Sequence, residues 1–467
     1  MTFVPHTPAQ RAAMLATIGV ARFEELLGGI PPELLLGRPL KVPPAQGEVE
    51  LAQAAAAVLG ENRFILPNRV FAGGGVYPHH VPAVVDELSH RGEFYSAYTP
   101  YQPEVSQGML QCIYEYQSYI CLLSGMDISN ASGYDAGTTL ADAVMMAKTQ
   151  FKDKRRRVLF APHVNPQMRE VAATYNLGME LSFEDCPATA DGRCDSAALA
   201  GLLGADVAAV VFAMPDCLGY VDENLAQLIA QVQAAGALAI VSYYPFLAGL
   251  LKTPGELGAD IVCGDAQCLG NPMGFGGPLL GFLACREKLL RVLPGRLIGR
   301  TVCERDGAPG EGFVMTLQAR EQHIRRDKAT SNICTNQALM ALRSCIYLGA
   351  IGREGLRQLS GLCHENACHA HDRLLSIAGV ADFYPGRSFF NEFTVRFPVG
   401  KRDEIYDTAI AAGMLAGIKP GGRPSLAAEG SQAGTPALQD CLTFAFTEIH
   451  HVQDVAELVR LVREVMQ

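Results

Sequence analysis

The sequence predicts an α/β fold built on a mostly parallel sheet, with a helical N-terminal arm and a smaller C-terminal α+β domain. Strand-like apolar runs at 158–161, 208–213, 238–242 and 261–263 alternate with helical runs, among them 163–178 and 225–235. That alternation is typical of βαβ units, whose strands pair in parallel. Of the 467 residues, 49% are hydrophobic and 18% are charged, a composition that fills a large core and excludes a disordered chain.

The N-terminal arm is predicted over residues 1–64. Thr7 and Pro8 are typical of a helix start, with threonine as the N-cap and proline at the first helical position. Met14 and Ile18 follow at helical spacing. Such short amphipathic pieces have little core of their own, so we expect them to pack on the body of the protein or on a partner.

The large α/β domain is predicted over residues 65–350. Its glycine-rich stretch at 73–78 is a loop by composition. A long helix is expected at 106–124, another helix opens at Gly137, and a glycine-rich hairpin covers 270–281.

The small C-terminal α+β domain is predicted over residues 351–467. Apolar runs at 389–397 and 442–447 indicate strands, and the pattern at 452–466 indicates a closing helix.

Composition excludes several classes of function. The 38 basic and 48 acidic residues give a net charge of −10, so we expect no nucleic-acid partner. The 14 cysteines contain no C-x-x-C pair, which favours reduced thiols in a cytoplasmic protein. The N-terminus shows no signal sequence and no apolar run is long enough to span a membrane, so no membrane association is expected.

Four local motifs each allow a functional and a structural interpretation. Residues 137–139 could bind a phosphate at a helix N-terminus or simply cap the helix. The tyrosines at 95, 98 and 101 could line a pocket or an interface, or pack a long loop on the body. The charged stretch 320–328 precedes Thr330, Ser331 and Asn332. It could bind an anion or a partner, or it could be a loop that leads into a capped helix.

The fourth motif is the histidine- and cysteine-rich helix around residues 363–371. His364, Cys368 and His371 share one helical face. Three ligands on one helix cannot complete a structural zinc tetrahedron, so we expect no metal there.

Several long runs in this order resemble the P-protein, or glycine decarboxylase, family of the glycine cleavage system, and within it the first subunit (α chain) of the two-chain bacterial form. The resemblance spans essentially the whole chain and is carried by the runs YSAYTPYQPEVSQG at 95–108, NASGYDAGT at 130–138, GGP at 276–278, LPGRLIGR at 293–300 and REQHIRRDKATSNICT at 320–335.

The resemblance implies fold type I of the pyridoxal-phosphate (PLP) enzymes. It also implies a reaction in which glycine, joined to PLP, loses CO2 and passes its aminomethyl group to the lipoyl arm of H-protein. In two-chain forms the PLP lysine belongs to subunit 2, the β chain, so the expected cofactor is held covalently by that partner and the expected assembly is α2β2.

The sequence can be tested for that lysine. Counting back from Pro278 puts Gln267 at the lysine position, and no lysine occurs between Lys252 and Lys288. The aspartate expected at the end of the preceding strand is also missing, because residues 241–244 read VSYY. A neutral amide cannot form a Schiff base.

We therefore expect no catalytic residue in this chain. The resemblance assigns a vestigial cofactor cleft to Gly137, Thr138, Thr139, His163 and Gln267. It assigns a wall of the partner's substrate pocket, at the subunit interface, to Tyr95, Tyr98, Tyr101, Thr330, Ser331 and Asn332.

Three alternatives remain at this point. A self-sufficient PLP decarboxylase or transferase would need the missing lysine and aspartate. A non-catalytic scaffold would leave subunit 2 fully active without this chain. A dinucleotide-binding dehydrogenase would need a G-x-G-x-x-G run after a strand, with an acidic residue beyond it, which the sequence lacks.

Overall fold

The computed structural model describes residues 5–95, 99–305, 307–316, 322–329, 333, 335–420 and 438–467. The chain divides into two compact units, Met1–Arg63 and Phe64–Gln467. No helix among the described residues has the length and apolar character needed to cross a membrane.

The first unit contains two helices, α1 (Pro8–Ile18) and α2 (Glu48–Leu59). The predicted start of α1 is confirmed: the Thr7 hydroxyl accepts from the Gln10 amide N–H, and the Gln10 side chain accepts from the Thr7 amide N–H. Neither helix buries a residue, so apolar side chains such as Met14 on α1 and Val49 on α2 are exposed.

The second unit is built around a seven-stranded sheet of order β1-β7-β6-β5-β4-β2-β3. Its strands are β1 (Ile128–Ser129), β2 (Arg157–Phe160), β3 (Ser182–Asp185), β4 (Val207–Met214), β5 (Leu238–Tyr243), β6 (Ile261–Asp265) and β7 (Gly281–Cys285). All pairings from β3 through β2, β4 and β5 to β6 are parallel, and β7 and β1 add an antiparallel edge. The prediction of a mostly parallel sheet is confirmed.

The helices between residues 83 and 325 are α3 (Ala83–Ser89), α4 (Gly92–Tyr95), α5 (Gln107–Ser124), α6 (Ala136–Gln150), α7 (Pro166–Tyr175), α8 (Ser196–Leu202), α9 (Leu225–Ala234) and α10 (Gln322–Arg325). Of these, α6 to α9 connect the successive strands from β1 to β5. β4 and β5 are almost fully buried because both faces of the sheet are covered, which explains their unbroken apolar runs.

Two details differ from the sequence-based expectation. The helix predicted from residue 163 begins at Pro166, because Asn165 caps it and His163 takes a left-handed conformation with φ of 60°. A two-stranded ribbon of β8 (Ile298–Arg305) and β9 (Ala308–Met315) was not predicted. Gly312 is the one fully buried residue of β9, so the strand lacks the alternation of buried apolar and exposed polar residues that would predict it.

A smaller C-terminal layer follows the long helix α11 (Ala338–Leu375). It combines an antiparallel sheet of β10 (Ala381–Asp382), β11 (Glu392–Arg396) and β12 (Cys441–Ala445) with α12 (Lys401–Ala411) and α13 (Val452–Met466). This α+β composition agrees with the predicted one. α11 is interrupted at Gly352, where φ is 60°, close to the predicted boundary at residues 350 and 351; the three-domain division itself stays a prediction.

Candidate functional site

A crevice opens at the carboxyl ends of β4, β5 and β6. Open α/β sheets bind their ligands at this edge. The crevice has a volume of ≈ 60 Å³, which is room for only a few water molecules. Its walls include Tyr77, Ser242, Asp265 and Glu392, together with Ala136 at the start of α6.

The N-terminus of α6, which the sequence allowed as either a phosphate site or a capped helix start, is capped by its own residues. Asp135 Oδ1 accepts from the Thr138 amide N–H at 2.8 Å, and Thr138 Oγ1 accepts from the Asp135 amide N–H at 3.1 Å. The Thr139 hydroxyl donates to the Asp135 carbonyl at 3.1 Å. Gly137 is buried, and a Cβ there would lie 3.1 Å from Val171. The structure thus favours the capping interpretation of this motif.

Gln267 follows β6 and is 1% exposed. Its Oε1 accepts from the Tyr77 amide N–H at 3.2 Å, and its Nε2 donates to the Asn271 carbonyl at 2.6 Å. Its own amide N–H donates to Asp265 Oδ1 at 2.8 Å. Both polar atoms of the side chain are therefore engaged within the protein.

The crevice walls are acidic. Asp216, Asp265 and Glu392 line it, and no lysine, arginine or histidine is present among the described lining residues. Burial raises the pKa of Asp265 to about 6 and that of Asp216 to about 6. At neutral pH these carboxylates give the crevice a negative charge, which repels anionic ligands.

His163 lies in the structure outside the crevice lining. Its Nε2 pairs with the Tyr384 hydroxyl at 3.2 Å, and its Nδ1 has no hydrogen-bond partner among the described residues. Burial, assisted by the positive charge of Arg387, lowers the pKa of His163 to about 4. The imidazole is therefore neutral at physiological pH.

The predicted interface residues are only partly within the described chain. Tyr98, Thr330, Ser331 and Asn332 lie outside the described residues, as does the side chain of Tyr95.

Tyr101 lies within the described part of the chain and is 66% exposed to solvent. Its hydroxyl accepts from Arg296 Nη2 at 3.2 Å, and the Arg296 guanidinium lies 5.5 Å from the centre of its ring. Arg296 Nη1 in turn donates to Asn336 Oδ1 at 2.9 Å, ahead of α11. Tyr101 is thus held in place on a surface rather than in the crevice.

Sequence reasoning missed the residues that close the crevice. The Tyr77 hydroxyl donates to Glu392 Oε2 at 2.8 Å across 315 residues of sequence. His79 Nδ1 donates to Glu448 Oε2 at 2.7 Å, and its Nε2 pairs with the Tyr244 hydroxyl at 2.6 Å. The composition of residues 73–78 predicted only a loop, and no local sequence pattern indicates contacts between residues so far apart along the chain.

His79, Glu448 and Cys363 form a compact group of possible metal ligands. Each already has a partner, since Glu448 Oε2 accepts from both His79 and the Cys363 thiol. Burial alone would raise the pKa of Glu448, but pairing with His79 outweighs it and holds that pKa at about 2. Because these three side chains already satisfy one another, we interpret the group as an internal hydrogen-bond network rather than a metal site.

The sheet order, the crevice at its strand ends and the C-terminal antiparallel layer define fold type I of the PLP enzymes. A NifS-like protein shares this fold with a TM-score of 0.61 at 12% identity, covering 85% of this chain and 98% of that one. The predicted fold class is confirmed.

A family model described as glycine cleavage system P-protein matches residues 1–418. A relative in Thermomicrobium roseum, named probable glycine dehydrogenase (decarboxylating) subunit 1, is 44% identical over 464 residues and 99% of both chains. A solved glycine decarboxylase (P-protein) of the glycine cleavage system, in inhibitor-bound form, is 38% identical with a TM-score of 0.86 over the full length of both chains. The chain belongs to the glycine cleavage system P-protein family, and the predicted resemblance is confirmed.

The crevice of this chain does not fit PLP. A PLP site needs a lysine amine and a carboxylate beside the pyridine nitrogen, and it must accept a phosphate. No described residue lining the crevice is a lysine, and near the end of β5 the lining residue is Ser242, whose hydroxyl donates to Met168 Sδ at 3.7 Å. The acidic walls and the self-capped α6 disfavour a phosphate group.

Proposed function

We propose that this chain is the cofactor-free subunit of a two-chain glycine decarboxylase and completes an active site held by its partner. The observation that carries the proposal is Gln267. This residue occupies the position of the Schiff-base lysine in the sequence, and both polar atoms of its side chain are used inside the protein. The names of the relatives, which specify a subunit 1, support a partner subunit.

In the proposed complex, subunit 2 (the β chain) holds PLP covalently, and bound PLP supplies an electron sink for decarboxylation. Glycine is the substrate, and its aminomethyl group passes to the lipoyl group of H-protein. We propose an α2β2 assembly in the cytoplasm. In fold type I the active site lies at the interface of two chains and each chain lends residues to its neighbour; we propose that this chain lends residues to its partner but supplies no Schiff-base lysine of its own.

The residues proposed to reach the partner's pocket are Tyr95, Tyr98, Tyr101, Thr330, Ser331 and Asn332. Tyr101 is the one whose side chain is described. An exposed phenol held by a guanidinium is suited to an interface, because the aromatic ring can be covered while the arginine fixes its direction. Gly137, Thr138, Thr139, His163 and Gln267 are proposed remnants of a cofactor cleft.

The complex is tested by expressing subunit 2 with and without this chain. We expect glycine–bicarbonate exchange to require both chains, with one PLP per αβ pair. Full exchange by subunit 2 alone would support the scaffold alternative and refute a contribution to the active site. PLP bound covalently to this chain alone would revive the self-sufficient enzyme.

The interface assignment is tested by Tyr98→Phe and Tyr101→Phe in the reconstituted complex. We expect slower exchange with an unchanged PLP content. The matched control is Tyr175→Phe, a 40% exposed tyrosine at the end of α7. If both interface variants match the control, the interface assignment is wrong.

A further inference from the structure

Residues 73–80, here named the plug segment, cross the crevice at the carboxyl ends of the sheet strands. Gly74, Gly75 and Tyr77 line the crevice together with residues that end β4, β5 and β6. The side chain of Tyr77 is 2% exposed and that of His79 is 1% exposed. The chain's own backbone therefore occupies the edge where a sheet of this type binds its ligand.

On one side, the plug segment contacts the large sheet. The Tyr77 amide N–H donates to Gln267 Oε1 at 3.2 Å, and the ring of Tyr77 lies 4.7 Å from that of Tyr244, which follows β5. The Asn165 side chain donates to the Gly74 carbonyl at 3.3 Å. Gln267, the residue at the lysine position, is thus in direct contact with the backbone of the plug segment at Tyr77.

On the other side, two buried carboxylates of the C-terminal layer hold the plug segment. Glu392 accepts from the Gly74 amide N–H at 2.8 Å and from the Tyr77 hydroxyl at 2.8 Å. Glu448 accepts from His79 Nδ1 at 2.7 Å and from the His80 amide N–H at 2.7 Å. Each carboxylate accepts two hydrogen bonds from the plug segment. These bonds hold the segment in one position, because charge-assisted hydrogen bonds are stronger than neutral ones.

The segment also fits sterically only with glycine at position 73. A Cβ there would lie 2.4 Å from Tyr77 Cε1 and 2.6 Å from Glu392 Oε1. The backbone therefore approaches the tyrosine ring and the carboxylate more closely than any other residue allows. This packing is specific rather than the loose cover of a surface loop.

We propose that the plug segment excludes PLP from this chain and that Tyr77 is the residue that determines the exclusion. The inference rests on the proposed function, in which Gln267 marks the former lysine position, and deepens it. The chain does not only lack the lysine; it fills the space in front of that position, so free PLP is left to the partner subunit.

The test measures access to position 267 in the full-length chain alone. Gln267→Cys introduces a thiol whose alkylation by iodoacetamide is followed by peptide mass spectrometry. We expect slow alkylation with Tyr77 present and, in the double variant with Tyr77→Ala, alkylation faster by at least about tenfold, because opening no longer requires displacing the ring. Tyr77→Leu replaces Tyr77→Ala if the latter fails to give a cooperative thermal transition.

Two controls separate the plug from general loosening. Tyr77→Phe keeps the ring and loses only the bond to Glu392, so we expect the introduced thiol to stay protected. Tyr175→Ala removes a surface ring and should leave the rate unchanged. The proposal is wrong if Gln267→Cys alone reacts as fast as an exposed cysteine, or if removing the Tyr77 ring changes the rate by less than about twofold.

A second arm uses PLP itself as the probe. In Gln267→Lys, we expect borohydride treatment with PLP to leave residue 267 unlabelled, because Tyr77 still covers it. Labelling of residue 267 in this single variant would overturn the exclusion. Neither arm measures glycine exchange, so failure of the plug and failure of the proposed function are distinguished.

Discussion

Removal of the Glu448 carboxylate is expected to weaken the second unit substantially. Glu448 is 5% exposed, and its pKa is held at about 2, against an ordinary value of 4.5, by pairing with His79 that outweighs the effect of burial. The difference, 4.5 − 2, is 2.5 units. At about 1.36 kcal/mol per unit, the ionised carboxylate stabilises the fold by about 3 kcal/mol.

The sign follows from the depressed pKa. This contribution is fully present above pH 4.5, the ordinary value, and is lost as the pH falls towards 2. We expect Glu448→Gln to lower the free energy of unfolding by about 3 kcal/mol at neutral pH, since it also leaves buried His79 without its charged partner. The variant should lack the corresponding decline in stability between pH 4.5 and 2.

Urea unfolding followed by far-ultraviolet circular dichroism is the suitable assay, because the chain contains no tryptophan. The matched control is Glu354→Gln. The pKa of Glu354 is also lowered to about 2, by its hydrogen bond to Arg357, but its side chain is 62% exposed. Solvent screens such a pair, so we expect no resolvable change. If Glu448→Gln and Glu354→Gln unfold alike, the argument from burial is refuted.

Two further predictions concern the plug segment and the crevice that it crosses. Gly73→Ala should lower the thermal midpoint of unfolding, because the added Cβ would lie 2.4 Å from Tyr77 Cε1. The control is Gly361→Ala in α11, where the added Cβ would have no atom within 4 Å, so the midpoint should stay unchanged or rise. Burial raises the pKa of Asp265 to about 6 from an ordinary 3.8, so its ionisation opposes folding as the pH rises through that interval. Asp265→Asn should therefore match the wild-type protein near pH 4 and equal or exceed its thermal midpoint at pH 7.5, and a lower midpoint at pH 7.5 would contradict this reasoning.

Local patterns were enough to predict most of the regular elements. The apolar run of β4 and the amphipathic pattern of α13 are properties of contiguous residues, and both elements appear as expected. The β8–β9 ribbon was not predicted because β9, with Gly312 as its one fully buried residue, carries little apolar alternation. His163 was expected inside a helix, but α7 begins after the cap at Asn165, and His163 takes a left-handed conformation while its side chain pairs with Tyr384.

The sequence by itself determined the fold class, the family resemblance and the absence of a lysine at position 267, since each depends on residue identity and order along the chain. The tertiary structure alone decided what fills the crevice. Tyr77 meets Gln267 across 190 residues and Glu392 across 315, and no periodicity encodes contacts that form only when the sheet and the C-terminal layer pack together. The glycine-rich loop was therefore visible in the sequence, whereas its role in closing the crevice was not.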